Sequence, residues 1–320
     1  MAQARRVRPT ARRGRLIGAV IAVAAIAIGA VTVLIADRGP APAALDGDAS
    51  TAVPLLGSSA LSPHNLARTT AQFGHLPIVR IYFPGLPGRY AWTSIAGVNK
   101  SAVIVSFNAR PAAILSGTDD ARLRAFFAGA PRGHPIYYSY FHEPEAHIKH
   151  GQFTAAAYRA AWRHVAALAD AARNPYLHAT LILMAYDLIR SVHRNWKDYL
   201  PRGGVISVLA WDAYPVGSAT NVHPQRTPPA RFMGPAIAAS RRVGLPFGFA
   251  EFGLSTARGR AGWLTGVGKY LLRSGALFAC LFDGNREYPT LRLTDHASIA
   301  VWRHYVRLSS SALSAGRARG

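Results

Sequence analysis

The chain has 320 residues, half of them hydrophobic, and a formal net charge of +22. This length suits one large globular domain, and no internal repeat divides the chain. Its 33 arginines and 4 lysines do not cluster with aromatic residues, so the sequence indicates no nucleic-acid site. The excess charge reflects either a preference for arginine on the surface or an affinity for an acidic envelope polymer or anionic membrane.

The N-terminus has the features of a membrane or export segment. Residues 1–15 contain six arginines and no acid, and residues 16–36 are uncharged and apolar. As a helix, these 21 residues would measure roughly 31 Å, enough to cross a bilayer. The segment is interpreted either as a transmembrane anchor with a cytoplasmic stub, together residues 1–36, or as a signal cleaved near residues 41–43. In both cases the rest of the chain lies outside the cytoplasm.

Composition divides the remaining residues into three parts. Residues 37–52 are rich in alanine, proline and glycine and are predicted to form a flexible linker. Residues 53–308 form the predicted domain, which we expect to be monomeric. Residues 309–320 are predicted to be a disordered tail.

Within the domain, short apolar strands alternate with helical segments. Most strand candidates are too continuously apolar for a half-exposed sheet, which indicates parallel strands buried on both faces. Eight such units in about 255 residues predict an α/β fold, a single (β/α)8 TIM barrel. The alternative, an open doubly wound sheet, would require a glycine-rich turn that does not follow the first strand. The strand candidates are 52–58, 77–83, 102–108, 135–141, 178–186, 205–211, 245–250 and 276–282.

Only four glutamates occur in the chain, and two of them, Glu143 and Glu251, directly follow apolar strands. In a TIM barrel, catalytic groups lie at the carboxyl ends of the strands. Glu143 ends the fourth strand and Glu251 the seventh, so both are expected at the barrel mouth. Two carboxyl groups about 5–5.5 Å apart, one protonated and one ionised, hydrolyse glycosidic bonds with retention. Alternatively, each glutamate pairs with one of the many arginines.

Three short runs on these strands resemble the clan A glycoside hydrolases, and most of all the family 26 β-mannanases. They are His142-Glu143, the run 211–215 (Trp-Asp-Ala-Tyr-Pro) and the run 250–253 (Ala-Glu-Phe-Gly). The resemblance implies an endo-β-glycanase with Glu143 as acid/base and Glu251 as nucleophile. It also implies an aromatic platform at strand eight. At that position this chain has Phe282 followed by Asp283, and both are predicted to bind substrate.

Other polar and aromatic residues at the strand ends are candidates for substrate binding. His142 can bind a sugar hydroxyl or orient a carboxylate, or can simply pack at the rim. Arg80 can orient Glu251, and Asp212 can bind a sugar or pair with Arg80. Trp211 offers a face for a pyranose ring or packs inside the barrel. The Tyr214 hydroxyl can donate to Glu251 and keep it ionised.

Several other chemistries lack their sequence patterns. The histidines at 142, 147 and 150 do not have zinc-site spacing, and the chain has no Gly-x-Ser-x-Gly elbow. The single cysteine, Cys280, lies in an apolar strand and is interpreted as a buried thiol. We therefore expect no metal and no cofactor. Glu145 is interpreted as a solvated loop acid.

These observations lead to two hypotheses of different kinds. The first is an extracytoplasmic retaining glycoside hydrolase that acts on a β-linked polysaccharide such as a mannan. The second is a catalytically silent, membrane-tethered barrel that binds glycans without hydrolysing them. The two hypotheses share a groove and differ in turnover.

Overall fold

The computed structural model describes residues 53–62, 65–98, 101–189, 192–215, 223–284 and 288–317. The predicted membrane or signal segment, 1–36, and the linker, 37–52, lie outside these residues. Among the helices that are described, none combines the length and apolar character required to cross a bilayer.

Eight parallel strands form one closed barrel in chain order. β1 pairs with both β2 and β8, which closes the sheet. The predicted TIM barrel is confirmed, and the open sheet is excluded. The strands are β1 (Leu55–Leu61), β2 (Ile78–Phe83), β3 (Ala102–Phe107), β4 (Ile136–Tyr140), β5 (Leu177–Met184), β6 (Val208–Asp212), β7 (Phe247–Phe252) and β8 (Phe278–Phe282).

α-Helices connect successive strands, in several cases two to a connection, except between β5 and β6. There the described residues form 3-10 turns such as Ala185–Leu188. The α-helices are α1 (Leu66–Phe73), α2 (Ala91–Ser94), α3 (Pro111–Leu115), α4 (Asp120–Ala128), α5 (Glu145–Lys149), α6 (Ala155–Asp170), α7 (Pro229–Phe232), α8 (Gly234–Arg242), α9 (Arg260–Leu271) and α10 (His296–Arg317).

The continuous apolar character of the strands results from burial on both faces. On β2, Val79 and Ile81 belong to the large cluster between barrel and helices, whereas Ile78 belongs to a smaller cluster inside the barrel. Since side chains alternate along a strand, Arg80 and Tyr82 share the inner face with Ile78. The lower interior is therefore apolar, and polar side chains begin near the carboxyl ends.

The last helix corrects the prediction of a disordered tail over residues 309–317, and residues 318–320 lie outside the described part of the chain. α10 continues to Arg317, and Ser309 is buried beneath the first strand. The Ser309 hydroxyl donates to the Pro54 carbonyl (2.7 Å) and accepts from the Leu56 amide (3.0 Å). These bonds satisfy backbone groups at the start of β1, a long-range role that local composition does not reveal.

A glycine in β1 provides a test of the barrel packing. A Cβ added to Gly57 would lie 1.8 Å from the Ile78 carbonyl oxygen, whereas a Cβ on Gly262 in α9 meets nothing within 4 Å. We expect Gly57→Ala to lower the free energy of unfolding by about 1–3 kcal/mol or more, because the two strands must separate. Gly262→Ala should be neutral or stabilising by up to about 1 kcal/mol. Urea unfolding measures both, and equal midpoints would contradict the packing described.

Candidate active site

The carboxyl ends of the strands surround a cavity of about 670 Å³. This volume lies within the usual range for small-molecule sites. Six of the residues predicted from the sequence line it: Arg80, His142, Glu143, Tyr214, Glu251 and Phe282. Glu143 and Glu251, which are 108 positions apart in the sequence, thus share one cavity.

Glu251 is held in place by two donors. Arg80 Nη1 lies 2.6 Å from Glu251 Oε1, and the Tyr214 hydroxyl donates to Glu251 Oε2 at 2.8 Å. Both partners stabilise the charged form of the carboxylate, since one is a cation and the other a hydrogen-bond donor. A register shift between β6 and β7 brings Asp212 level with Glu251.

The guanidinium of Arg80 is shared between two carboxylates. Its Nη1 lies 3.1 Å from Asp212 Oδ1 as well as 2.6 Å from Glu251, and the Arg80 side chain is 1 % exposed. Although burial opposes the charge, Asp212 and Glu251 hold the pKa of Arg80 above its usual value. Asp212 therefore pairs with Arg80, one of its two predicted roles, and it does not line the cavity.

The backbone at the end of β4 directs Glu143 into the cavity. Phe141 and Glu143 have φ angles of 46° and 51°, in the left-handed region that non-glycine residues rarely occupy. The Glu143 amide donates to the Ile182 carbonyl of β5 at 3.1 Å. Strained backbone of this kind persists only where surrounding structure enforces it, and such residues concentrate at functional sites.

The two glutamates have raised and interdependent pKa values. Burial raises the pKa of Glu143 to about 7, and the charge of Glu251 adds to the increase. Burial also raises the pKa of Glu251 to about 7, against the opposing effects of Arg80 and Tyr214. Because only Glu251 accepts hydrogen bonds from both Arg80 and Tyr214, we assign the first ionisation of the pair to it.

A second polar group lies on the β2–β4 side of the cavity. The ring of His142 packs edge-on against Tyr82 at 4.9 Å, and Asn108 Nδ2 donates to the Tyr82 hydroxyl at 2.9 Å. Burial, followed by the charge of Arg80, holds the pKa of His142 well below its usual range. His142 is therefore neutral at neutral pH and lies beside Glu143 in the cavity wall.

Besides Asp212, two residues predicted to bind substrate lie outside the cavity. Trp211 is fully buried; its indole donates to Ser240 Oγ at 2.9 Å, so it packs between barrel and helices. Asp283 pairs with Arg68 at 2.8 Å and accepts from the Leu293 amide at 2.7 Å, so it anchors the segment after β8. Both predictions are corrected, because these side chains face away from the cavity that their strand ends surround.

Sequence reasoning missed several lining residues. Tyr82 lies two positions after Arg80 on β2, and strand alternation alone places both on the inner face. By contrast, nothing in the sequence marks the other lining residues, which lie at strand ends and on loops. These are Ser59, Ser62, Asn65, Pro84, Met184, Tyr288 and Leu291.

No group of three or more histidine, cysteine, aspartate or glutamate side chains in the described part of the chain is arranged to hold a metal ion. The buried thiol of Cys280 has a pKa raised by its burial. It lies in the apolar interior of the barrel with Ile78 and Phe278.

No protein-family model matches the sequence, and no curated protein sequence matches it. Solved structures, however, share the fold. The catalytic domain of a family 26 endo-β-1,4-mannanase from Bacillus sp. JAMB-750 is 14% identical, with 81% of this chain and 87% of that chain covered and a TM-score of 0.56. A family 26 β-mannanase from Bacteroides ovatus is 12% identical, with 82% of this chain and 90% of that chain covered and a TM-score of 0.57.

An endo-β-1,4-glucanase from Xanthomonas axonopodis pv. citri is also similar, at 11% identity, with 80% of this chain and all of that chain covered and a TM-score of 0.56. The barrel is thus structurally similar to clan A glycoside hydrolases. At these identities the similarity concerns the fold alone.

The raised pKa of Glu143 predicts a pH-dependent effect on stability. A carboxyl whose pKa is raised on folding binds its proton more tightly in the folded chain. Its contribution to stability is present below the unfolded pKa of 4.5 and is lost as the pH rises through about 7. Glu143→Gln should therefore gain about 2–4 kcal/mol relative to the wild type between about pH 4.5 and pH 8. Urea unfolding across this range measures the difference, and parallel stability curves would contradict the prediction.

Proposed function

We propose that the protein is a retaining glycoside hydrolase that uses Glu251 as nucleophile and Glu143 as acid/base. The observation that carries the proposal is the placement of these two carboxyls, from opposite sides of the barrel, in one cavity with contrasting partners. Such a difference in environment divides two carboxyls into an acid and a nucleophile. The likeness of the fold to endo-β-glycanases supports the same reaction class.

In the first step, a carboxylate oxygen of Glu251 attacks the anomeric carbon and the glycosidic C–O bond breaks. Arg80 and Tyr214 keep this carboxylate ionised and fix its orientation. Glu143 transfers its proton to the departing oxygen, which leaves as an alcohol. The product of this step is a glycosyl ester on Glu251.

In the second step, water attacks the same carbon and the ester bond to Glu251 breaks. Glu143, now ionised, takes up the proton from the water, which restores the initial protonation state. The raised pKa of Glu143 suits both roles, because a group that titrates near the working pH can give and recover a proton.

For the substrate, we propose a β-linked polysaccharide of the mannan or glucan type. The neighbours in fold are named as an endo-β-1,4-mannanase, a β-mannanase and an endo-β-1,4-glucanase. Phe282 lines the cavity, with Tyr214 and Tyr288 edge-on to its ring at 6.5 and 5.9 Å. Aromatic faces of this kind are suited to the apolar side of a sugar ring. The arginine-rich start and apolar segment 16–36 support a location outside the cytoplasm, tethered or secreted.

The nucleophile is tested by chemical rescue. Glu251→Ala should abolish hydrolysis and glycosyl-enzyme formation, and added azide should restore turnover and give a glycosyl azide of inverted anomeric configuration. Mass spectrometry of the trapped enzyme and NMR of the product measure these outcomes. Asp170→Ala, which removes a carboxyl at the end of α6, far from the strand carboxyl ends, is the matched control and should retain activity.

The acid/base is tested by varying the leaving group. Glu143→Ala should lower turnover of natural glycosides by about 10²–10⁴-fold, because their alkoxides need a proton to depart. Dinitrophenyl glycosides release dinitrophenolate, which departs without a proton. For these substrates the rate of glycosyl-enzyme formation should fall far less. Equal losses on the two substrates would contradict the assignment of Glu143.

Binding and hydrolysis measured together distinguish the enzyme from a catalytically silent barrel that only binds glycans. Calorimetric binding of mannan or glucan oligosaccharides to the wild type, without release of reducing ends, would overturn the enzyme proposal and favour a glycan-binding role. Hydrolysis that depends on both glutamates supports the enzyme.

A further inference from the structure

A third glutamate lies behind the cavity wall and does not line it. Glu145, two residues after Glu143 and the first residue of α5, is 0 % exposed. This burial overturns the interpretation of Glu145 as a solvated loop acid. Its Oε1 accepts a hydrogen bond from the Met184 amide at 2.7 Å. Met184 is the last residue of β5 and lines the cavity.

The position of this bond follows from the geometry of the β4–β5 ladder. Regular pairing of the two strands ends at Tyr138 and Ala179. Beyond this point, the Glu143 amide still donates to the Ile182 carbonyl. In a regular parallel ladder, the carbonyl of that same residue would accept from the amide two positions further along β5, which is Met184.

At Glu143, however, the backbone turns away with a φ of 51°, and the Met184 amide is bonded to the Glu145 carboxyl instead. The side chain of Glu145 thus replaces the carbonyl oxygen that the strand would have supplied. A left-handed residue is costly for the chain, by about 1–3 kcal/mol, and requires surrounding contacts to maintain it.

We infer that Glu145 is a positioning residue, whose carboxyl holds the turn 141–145 against β5 and so fixes the direction in which Glu143 enters the cavity. This inference rests on the proposed function, in which Glu143 must be aligned with the departing oxygen. Misplacement of a catalytic group by 1 Å can cost about 10²-fold in rate.

The surroundings of Glu145 favour its neutral form. Glu145 forms no ion pair with the described residues, and its Oε2 is buried without a hydrogen-bond partner among them. Burying an unpaired carboxylate is far more costly than burying a neutral acid. Burial raises the pKa of Glu145 to about 8, against the backbone hydrogen bonds that it accepts. The titratable groups that interact with it electrostatically are Glu143, Tyr158, Asp187, Tyr199 and Asp212. Of these, Asp187 is paired with Arg194.

A neutral Glu145 that accepts through one oxygen has the same shape and bonding as a glutamine. The full-length protein is therefore compared with Glu145→Gln, Glu145→Ala and, as a matched control, Asp170→Ala. Circular dichroism and thermal unfolding confirm that each variant is folded. Hydrogen exchange of the Met184 amide reports directly on the bond, whether or not the protein is an enzyme.

Glu145→Ala should speed exchange at Met184 and lower kcat by about 10–100-fold with little change in KM. The loss of kcat should be large for natural glycosides and small for dinitrophenyl glycosides. The reason is that a misaligned Glu143 impairs proton donation to the leaving group, which only the natural glycosides require. Glu145→Gln should restore protection and kcat, and Asp170→Ala should match the wild type. A loss confined to thermal stability would indicate a purely structural role and overturn the inference.

A loss in Glu145→Gln as great as in Glu145→Ala would also overturn it, because an ionised carboxylate would then be required. If the wild type hydrolyses no glycoside, the proposed function fails by itself. The positioning of Glu143 is then judged by Met184 exchange and by crystal structures of the variants. An unmoved Glu143 side chain in Glu145→Ala would overturn it, and a displaced one that returns in Glu145→Gln would support it.

Discussion

The arrangement of the barrel mouth depends on one buried guanidinium. Arg80 neutralises Asp212 and Glu251 together, at 3.1 and 2.6 Å, and its charge also acts on Glu143. Without a cation, three carboxyls at this depth would lose the solvation of water and repel one another. With one cation for three acids, the charges balance only partly, and burial raises the pKa values of Glu143 and Glu251 to about 7. This shortage of positive charge makes the site costly to bury. It also favours one protonated and one ionised carboxyl near neutral pH, the arrangement that acid/base chemistry requires.

The barrel supplies this arrangement by dividing its interior into two layers. Below, residues such as Ile104, Phe278 and Cys280 fill the interior with apolar atoms. Above, the residues on the inner faces of the strands become polar, and regular hydrogen bonding between the strands ends at their carboxyl ends. Irregular backbone at that level then directs individual side chains: the register shift at Asp212 and the left-handed turn at Glu143 are examples. The regular part of each strand stabilises the barrel, and the irregular backbone at its end sets the orientation of the side chains there.

Much of the fold could be predicted because it depends on local patterns. Apolar runs in the sequence predict eight strands, and all eight occur in the barrel. The pairing of Arg80 with Asp212 and the contact of Tyr214 with Glu251 were among the predicted alternatives, and both occur. The errors concern Trp211, Asp283, Glu145 and the segment after residue 308. In each case, a side chain at the end of a strand or near the C-terminus is buried against a partner that is distant in sequence.

By itself, the sequence determined the barrel and the end of the barrel at which Glu143 and Glu251 lie. The apolar runs, their order along the chain and the scarcity of glutamate can all be read from the sequence alone. It did not determine which strand-end residues face the cavity, nor which of several arginines pairs with which acid. A rotation of one position at a bulge or a positive φ reverses the face of a side chain. Only the tertiary structure placed Arg80 between two acids, turned Trp211 outward and bonded Glu145 to Met184, since these contacts depend on where irregular backbone ends each strand.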